Sequence, residues 1–588
     1  MTNNSDSRDN STIETAIKIN SGGPIYQGTW TATLTPRLLL NVNYGYRRIV
    51  GDVVPNGGEN ASVSRWGATA VAGGVIAGNG AVLVYYGNRS GGVFADTSIR
   101  DHHELTGDLS WFKSEWLGSH TFQTGFQWKP RTRSKGEVYY PQSGLILIEE
   151  VRRTLADGRV VATPFHKSYI SPTRYPRIVG NTILTGGYLQ DRWMPRRRLT
   201  LSLGVRFDRQ ANQDAFDVRR VDSVSVGPRF GVAYSLSKDG HDVVRVTWGR
   251  LHDIIYNQAA PSLGSRTGDR RDEYDNNLDG VFETVRTTPG VGINAPPVIT
   301  DRLVDPNLHA AYTDDLRVAY TRQLRGNFVF DTAYTTRKFQ DPSGNPDTNI
   351  IYEGGLFRGY RNPALNAILT TTNLTNSHRR FHGLEFSLIR NIGTKLQTFT
   401  SYSYQKLTET GEFRYDEVNR YLAPANWFDN SRLTRPHIFR VNGSYYLPWR
   451  FTVAAIFSLQ SGAYGGALIK TLDATDPEVA AHGPRQLTLP NGRVVNNPLY
   501  TQTRLASPRS QGQLQAPTLP RLNMRFGKEF HFWEKHIFEA NVDFFNITNN
   551  GAPLFFRNGT NTSLTTFGQF LSNTQSPRGA QMSVRWRF

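Results

Sequence analysis

The sequence predicts an all-β chain: a large antiparallel transmembrane β-barrel of about 17–18 strands, with one short-turn rim and one long-loop rim. Three observations carry this. The C-terminal strand alternates without a fault, short and long connections alternate along the chain, and tryptophans gather beside the short ones.

The last residues are the plainest element. Ala580, Met582, Val584, Trp586 and Phe588 are apolar, whereas Gln581, Ser583, Arg585 and Arg587 are polar. A period of two gives a strand with one greasy face and one wet face. In water such a terminal strand invites edge pairing; in a barrel it turns its apolar face to lipid. The pattern recurs upstream. Leu199, Leu201, Leu203, Val205 and Phe207 alternate with Thr200, Ser202, Gly204, Arg206 and Asp208. Phe538, Ala540, Val542 and Phe544 alternate with Glu539, Asn541 and Asp543, and Lys395 to Tyr404 behaves alike. About ten residues tilted by ~45° span the hydrocarbon layer.

The short connections are Leu34–Leu38, Lys113–Ser119, Met194–Arg198, Ser237–His241, Leu324–Asn327, Asn391–Thr394, Leu447–Arg450 and His531–Lys535. Between them lie Gly51–Asp101, Arg131–Gly180, Gln210–Val226, His252–Ala311, Gln340–His378, Leu407–Arg435, Gly462–Leu519 and Thr548–Ser576, all long and polar. A membrane barrel with short periplasmic turns and long extracellular loops has this two-sided asymmetry; a soluble sandwich does not. Trp111, Trp116, Trp193, Trp449, Trp533 and Trp586 fall beside short turns or at the C-terminus. Indole rings prefer the membrane–water interface, so these form an expected aromatic girdle.

Composition agrees. A chain of 588 residues exceeds one ordinary soluble core, and a barrel escapes that limit by adding strands to its circumference. The 38% apolar content argues against helical spans; Val71 to Tyr86 is broken by glycines and reads as a loop or hairpin. The absence of cysteine removes disulfide scaffolds, thiolate metal sites and cysteine catalysis. The net charge of +18 is spread along the chain, mostly as Arg, without a basic block. That dispersion suits lipid headgroups or an anionic solute better than nucleic acid.

Eight hairpins plus the terminal strand give an odd count. Strand Ile25–Leu34 then starts on the long-loop side, which predicts that the first strands of the ring are not in this chain. Residues 1–24 are expected to be a disordered segment, with the barrel wall over 25–588. Met1 to Asn20 lacks the charged-then-apolar order of a secretory signal.

Several segments resemble the Oar-like TonB-dependent receptors. Trp30-Thr31-Ala32-Thr33-Leu34-Thr35-Pro36-Arg37-Leu38-Leu39-Leu40 is similar to a mid-barrel strand pair of that family, and Trp116 to Gly125 to its Gly-His-x-Phe-x-x-Gly hairpin. Arg435-Pro436-His437, Val441 to Pro448, Phe544 to Asn549 and Pro577 to Gln581 follow in the same order. The resemblance runs from about Thr29 to Phe588. It implies a plugged outer-membrane barrel of about 22 strands, energised through a short N-terminal box. This sequence departs from that pattern, because no plug-sized segment and no such box precede Ile25. Engagement of a TonB complex is therefore expected only if a plug is supplied elsewhere.

The sharpest local motif is Asp275-Asn276-Asn277-Leu278-Asp279-Gly280. Oxygen ligands at alternate positions with Gly sixth resemble the start of an EF-hand loop. Asp275, Asn277 and Asp279 are the candidate calcium ligands, with Glu283 replacing the usual twelfth-position Glu, which is Arg286 here. A solvated Asx turn is the bland alternative. His102, His103 and Glu104 alternate faces on a strand, which argues against one shared metal site; the same holds for Glu149 and Glu150. Tyr139, Tyr140, Tyr352, Phe357, Tyr360, Trp427, Phe428, Phe555 and Phe556 could stack on a solute or pack loop against loop, with packing favoured. Arg196, Arg197 and Arg198 read as a solvated turn. No catalytic motif is present, so no enzyme is expected. The expected function is uptake of a large or scarce solute (carbohydrate, peptide or chelate) across a bacterial outer membrane, in contact with its lipid and lipopolysaccharide. A surface-binding barrel without transport is the alternative, and a barrel-borne hydrolase comes third.

Overall fold

The structure, a computed structural model, describes residues 2–4, 17–55, 95–139, 145–154, 157, 159–170, 175–214, 218–255, 269–288, 302–353, 356–365, 367–374, 377, 379–392, 395–410, 428–430, 434–464, 469–471, 483–498, 503–505, 515–532, 536–552 and 576–588. The Val71–Tyr86 segment, Tyr140, Trp427, Trp533, Phe555 and Phe556 lie outside them.

One antiparallel meander forms the wall. Its strands are β1 (Ile17–Gly22 continued by Ile25–Thr35), β2 (Leu38–Pro55), β3 (Ala95–Lys113), β4 (Ser119–Tyr139), β5 (Tyr175–Arg196) and β6 (Leu199–Gln213). Next come β7 (Arg219–Ser235), β8 (Asp242–His252), β9 (Tyr312–Leu324), β10 (Phe328–Gln340), β11 (Arg379–Ile392) and β12 (Leu396–Thr410). The last are β13 (His437–Leu447), β14 (Phe451–Gln460), β15 (Leu519–Phe532), β16 (His536–Phe545) and β17 (Gly579–Arg587). The sheet's twenty strands reduce to these seventeen, because β1 is one strand interrupted at Gly23-Pro24, and Thr2–Asn4 and Phe428–Asn430 are short additions. The eight strand-to-strand turns fall where the short connections were expected. At one of them Gly118 has φ 115, and a Cβ there would stand 2.2 Å from the Met194 carbonyl, so only glycine fits.

One expectation needs correction. Residues 17–22, placed in a disordered leader, are strand: Ile17 to Gly22 pair with Pro55 to Val50. The Pro24 carbonyl accepts the Arg48 N–H at 3.1 Å across the break, so the ladder continues through it. Alternation was not legible in Ile17–Gly22 because Gly22, Gly23 and Pro24 interrupt the pattern.

The wall has two chemically opposite faces. On β11, His382, Leu384, Phe386 and Leu388 share one face, and Gly383, Glu385 and Ser387 the other. The register carries the first set into Thr332 and Tyr334 on β10, and Tyr402 and Tyr404 on β12. This face stays exposed at Phe207, Phe386, Leu388, Phe526 and Val584. Water does not tolerate an apolar band of that extent; lipid does. Among the described residues, one buried hydrophobic cluster lies in the loops, around Ile350, Phe357, Leu489 and Val495, and a second sets Val221 of β7 against Ile255, Leu308 and Ala310. Among the described residues no ladder joins β17 to β1. The two run in the same direction, and Thr2–Asn4 pairs with Lys18–Asn20 along the β1 edge.

Candidate functional site on the inner face and the loop rim

The outer face is ordered in bands. Near the short turns, Trp111 stacks on Phe122 at 5.5 Å, Trp193 on His120 at 5.5 Å, and Lys528 sits 4.0 Å above the Phe451 ring. His120 also meets Asp191 at 2.7 Å, so a carboxylate facing the interface is shielded by indole and phenyl rings. Trp449 and Trp586 are exposed on the same rim. A second band recurs higher: Tyr44, Tyr334 and Tyr402 each hydrogen-bond a histidine Nδ1, on His103, His382 and His437, at 3.0, 2.8 and 2.8 Å. Each tyrosine is the seventh residue of a strand leaving a short turn. Sequence reading found the tryptophans and missed these pairs, because each joins two strands.

The inner face carries a polar ladder. Arg206 donates to both Asp208 oxygens at 2.8 and 2.7 Å and to Gln127 at 2.8 Å. Tyr188 donates to Asp108 at 2.6 Å, and Arg525 grips Asp543 at 2.6 and 2.9 Å. Arg379 pairs with Glu409, and Arg317 with Glu385. The face rule for His102, His103 and Glu104 holds: His103 turns out to Tyr44, while His102 and Glu104 turn in and meet at 3.3 Å. Lys129 and Gln127 complete that cluster on Glu104. Toward the short-turn rim, Arg192, Arg229 and Arg245 line a concavity of about 620 Å³ beside Ser202, Gly231 and Thr247. These contacts make the inner face wettable and give it fixed charge.

The loops are built bodies. Two of them join in a four-stranded sheet, in which Leu145–Thr154, Val160–Ile170, Arg270–Tyr274 and Thr284–Thr288 lie side by side. Within it His166 and Asp272, both buried, meet at 3.1 Å, and His166 stacks on Tyr274 at 4.3 Å. Burial pushes the Asp272 carboxyl up, but hydrogen bonds from His166 and Arg270 help hold the group below the usual carboxylate range. The ionised form is therefore the one that stabilises the fold. Its contribution is complete above the unfolded value near 4 and disappears as pH falls through the lower folded value. We expect this loop sheet to become protease-sensitive only below about pH 4. Pepsin cleavage followed against pH should show that onset, with Asp272→Asn already sensitive at the upper end of the range.

In the loop between β10 and β11, Phe357 is buried and meets Tyr360 edge-on at 5.3 Å. Leu489 and Val495, from the loop between β14 and β15, complete the cluster. Aromatic residues here pack loop on loop, as favoured. The side chains of Tyr139, Tyr352 and Phe428 lie outside the described residues.

The structure brings Asp275, Asp279 and Glu283 together, with one oxygen of each within 4.8 Å of the others. Asp275 accepts the N–H groups of Leu278 and Asp279 on one oxygen and Gly280 on the other. Asn277 is turned to Asp279, its amide donating at 3.0 Å while its oxygen accepts the Asp279 N–H. Arg286, at the twelfth position, is in strand opposite Asp272 and outside the loop.

A family model described as outer membrane beta barrel domain matches residues 2–217 and 215–581. Among solved structures, the outer membrane transporter YddB from Escherichia coli aligns over 97% of this chain and 64% of its own, at 13% identity and a TM-score of 0.56. BauA, the ferric preacinetobactin receptor from Acinetobacter baumannii, aligns over 97% and 63%, at 9% identity and 0.52. The ferric-catecholate import receptor Fiu from E. coli K12 aligns over 97% and 64%, at 12% and 0.50. The chain thus spans a little under two thirds of these proteins, and at such identities the likeness is one of fold. Comparison with curated proteins gave no match.

Proposed function

This chain belongs to the outer membrane β-barrel domain family, and from that premise we propose that it is the barrel portion of an Oar-like receptor that takes up an extracellular solute. The observation that carries this reading is the pairing of an exposed apolar outer face with a charged, hydrogen-bonded inner face on the same strands. Such a wall excludes lipid while its hydrated side faces the solute. The welded loops offer a preformed entrance, and specificity is placed there because loops carry recognition on a rigid scaffold. Deletion of the gene in its host, followed by uptake assays with chelated iron, oligosaccharide and peptide, tests the reading. Loss of one uptake, restored by the intact gene, supports it; unchanged uptake with lost surface attachment favours the adhesion alternative.

We also propose that Asp275, Asp279 and Glu283 hold calcium in the extracellular medium. Three carboxylates around Gly280 (φ 94) supply the charge such a site requires. Calcium in the millimolar range should slow proteolysis between Tyr274 and Thr284, and Glu283→Gln should abolish that protection. Identical cleavage with and without calcium would leave the loop as a self-satisfied Asx turn.

A further inference from the structure

The inner face holds a patch of arginines that its ladder of ion pairs does not absorb. Three other arginines of that face each meet a carboxylate: Arg206 on Asp208, Arg317 on Glu385 and Arg525 on Asp543. In the concavity beside the short turns this matching stops. Among the described residues, Arg192 and Arg229 contact no carboxylate, and Arg245 donates to the Thr321 hydroxyl at 2.8 Å. The two carboxylates at the border are engaged elsewhere. Asp315 is held by Arg337, and Asp191 turns to the outer face, where it meets His120 at 2.7 Å. All three arginines are exposed.

The register makes the hollow. Arg192 of β5, Ser202 of β6, Gly231 of β7 and Thr247 of β8 lie opposite one another in a single row across the wall. One step toward the loops, Gly204 and Gly249 flank Arg229; one step toward the turns, Arg245 lies opposite Ala233. Small side chains thus form a floor with long cations around it, and about 620 Å³ stays open. That is the size of a small-molecule site. A Cβ on Gly231 would stand 3.4 Å from the Ser202 Cβ and 3.7 Å from the Thr247 methyl, both ordinary contacts. The wall therefore does not need glycine there; what the missing side chain supplies is space. Ser202 is the fourth residue of its strand. At ~3.3 Å per residue and ~45° tilt, the hollow lies roughly 10 Å above the short turns, at the exit end of the wall.

Each guanidinium is a planar fork of donors that matches carboxylate or phosphate oxygens. Cations gathered without counter-charge repel one another, and an anion with several acceptor oxygens between them turns that cost into attraction. We propose that Arg192, Arg229 and Arg245 form an exit-side binding site for a small solute bearing two or more carboxylate or phosphate groups. The Ser202 and Thr247 hydroxyls donate to it from the floor. The inference rests on the uptake reading and adds a class of solute to it.

The test uses the full chain in phosphatidylcholine vesicles at fixed low salt, titrated calorimetrically with tricarballylate, with pyrophosphate and with uncharged glycerol. At least one of the two anions should bind saturably, with one site per chain, and which of them binds separates carboxylate from phosphate recognition. Glycerol should not bind. Arg229→Gln should weaken anion binding by about tenfold, and Arg192→Gln/Arg229→Gln/Arg245→Gln by about a hundredfold. Gly231→Leu keeps every charge but fills the floor; it should weaken binding as severely while the unliganded wall keeps its thermal transition. Arg525→Gln removes the same charge from a matched pair of the inner face and should leave binding unchanged. Failure of both anions to bind, undiminished binding by the triple variant or by Gly231→Leu, or an equal loss in Arg525→Gln would each overturn the site. Binding is read without transport, so these outcomes leave the uptake assay to stand or fall on its own.

Discussion

Arginine at Phe386 should cost about 2–4 kcal/mol of folding free energy in vesicles, whereas arginine at the neighbouring Ser387 should change stability by less than about 1 kcal/mol. Phe386 lies mid-strand on the outer face, its ring stacked on Tyr402 at 6.5 Å. A guanidinium there must either leave water for hydrocarbon or drag headgroups inward. Ser387 faces inward, opposite Asp331 on β10 and Ser401 on β12, so an arginine finds water and a carboxylate. Denaturant refolding with each variant gives both numbers. One residue of displacement reverses the outcome, because a period of two admits no intermediate face. Equal costs at both positions would mean that the wall is not sided.

The second large effect is expected in the loops. Asn349 is fully buried, and its side chain makes three hydrogen bonds. Its amide donates to the Asn362 and Leu365 carbonyls at 3.2 and 3.0 Å, and its oxygen accepts the Asn362 N–H at 2.8 Å. Asn349→Ala strands buried backbone groups that cost about 1–3 kcal/mol each. The loop body around Phe357 and Leu489 should then open while the wall keeps its melting transition. Limited proteolysis between β10 and β11, set against a thermal scan of the wall, separates the two. A variant whose loops resist protease like the parent would show that the Ile350–Phe357–Leu489–Val495 cluster suffices alone.

The wall was legible in the sequence because it is governed by local rules. Alternation at Leu199–Asp208 and Phe538–Phe544, the eight short turns and the tryptophans beside them each act over a few residues, and register follows from turn length. The loops obey long-range rules. His166 meets Asp272 across 106 positions, and Arg493 donates to the Pro363 carbonyl across 130. A side chain that pairs at such separations leaves no periodic trace. The calcium reading lies between these cases. Spacing pointed to Asp275, Asn277, Asp279 and Glu283, of which the structure draws the three carboxylates together, but it could not show that the first already accepts three backbone N–H groups. The Tyr–His pairs needed register across two strands, which a single strand's pattern does not contain.

The most direct test of the sided wall exploits the absence of cysteine from the chain. Single cysteines from His382 to Ile389 on β11, in protein folded into vesicles, are probed with a membrane-impermeant maleimide and a lipid-borne quencher. The wall described above predicts strict alternation: residues 383, 385, 387 and 389 react from water, and residues 384, 386 and 388 are quenched from lipid. A reactivity that is uniform along β11, or that repeats every three to four residues, would contradict it.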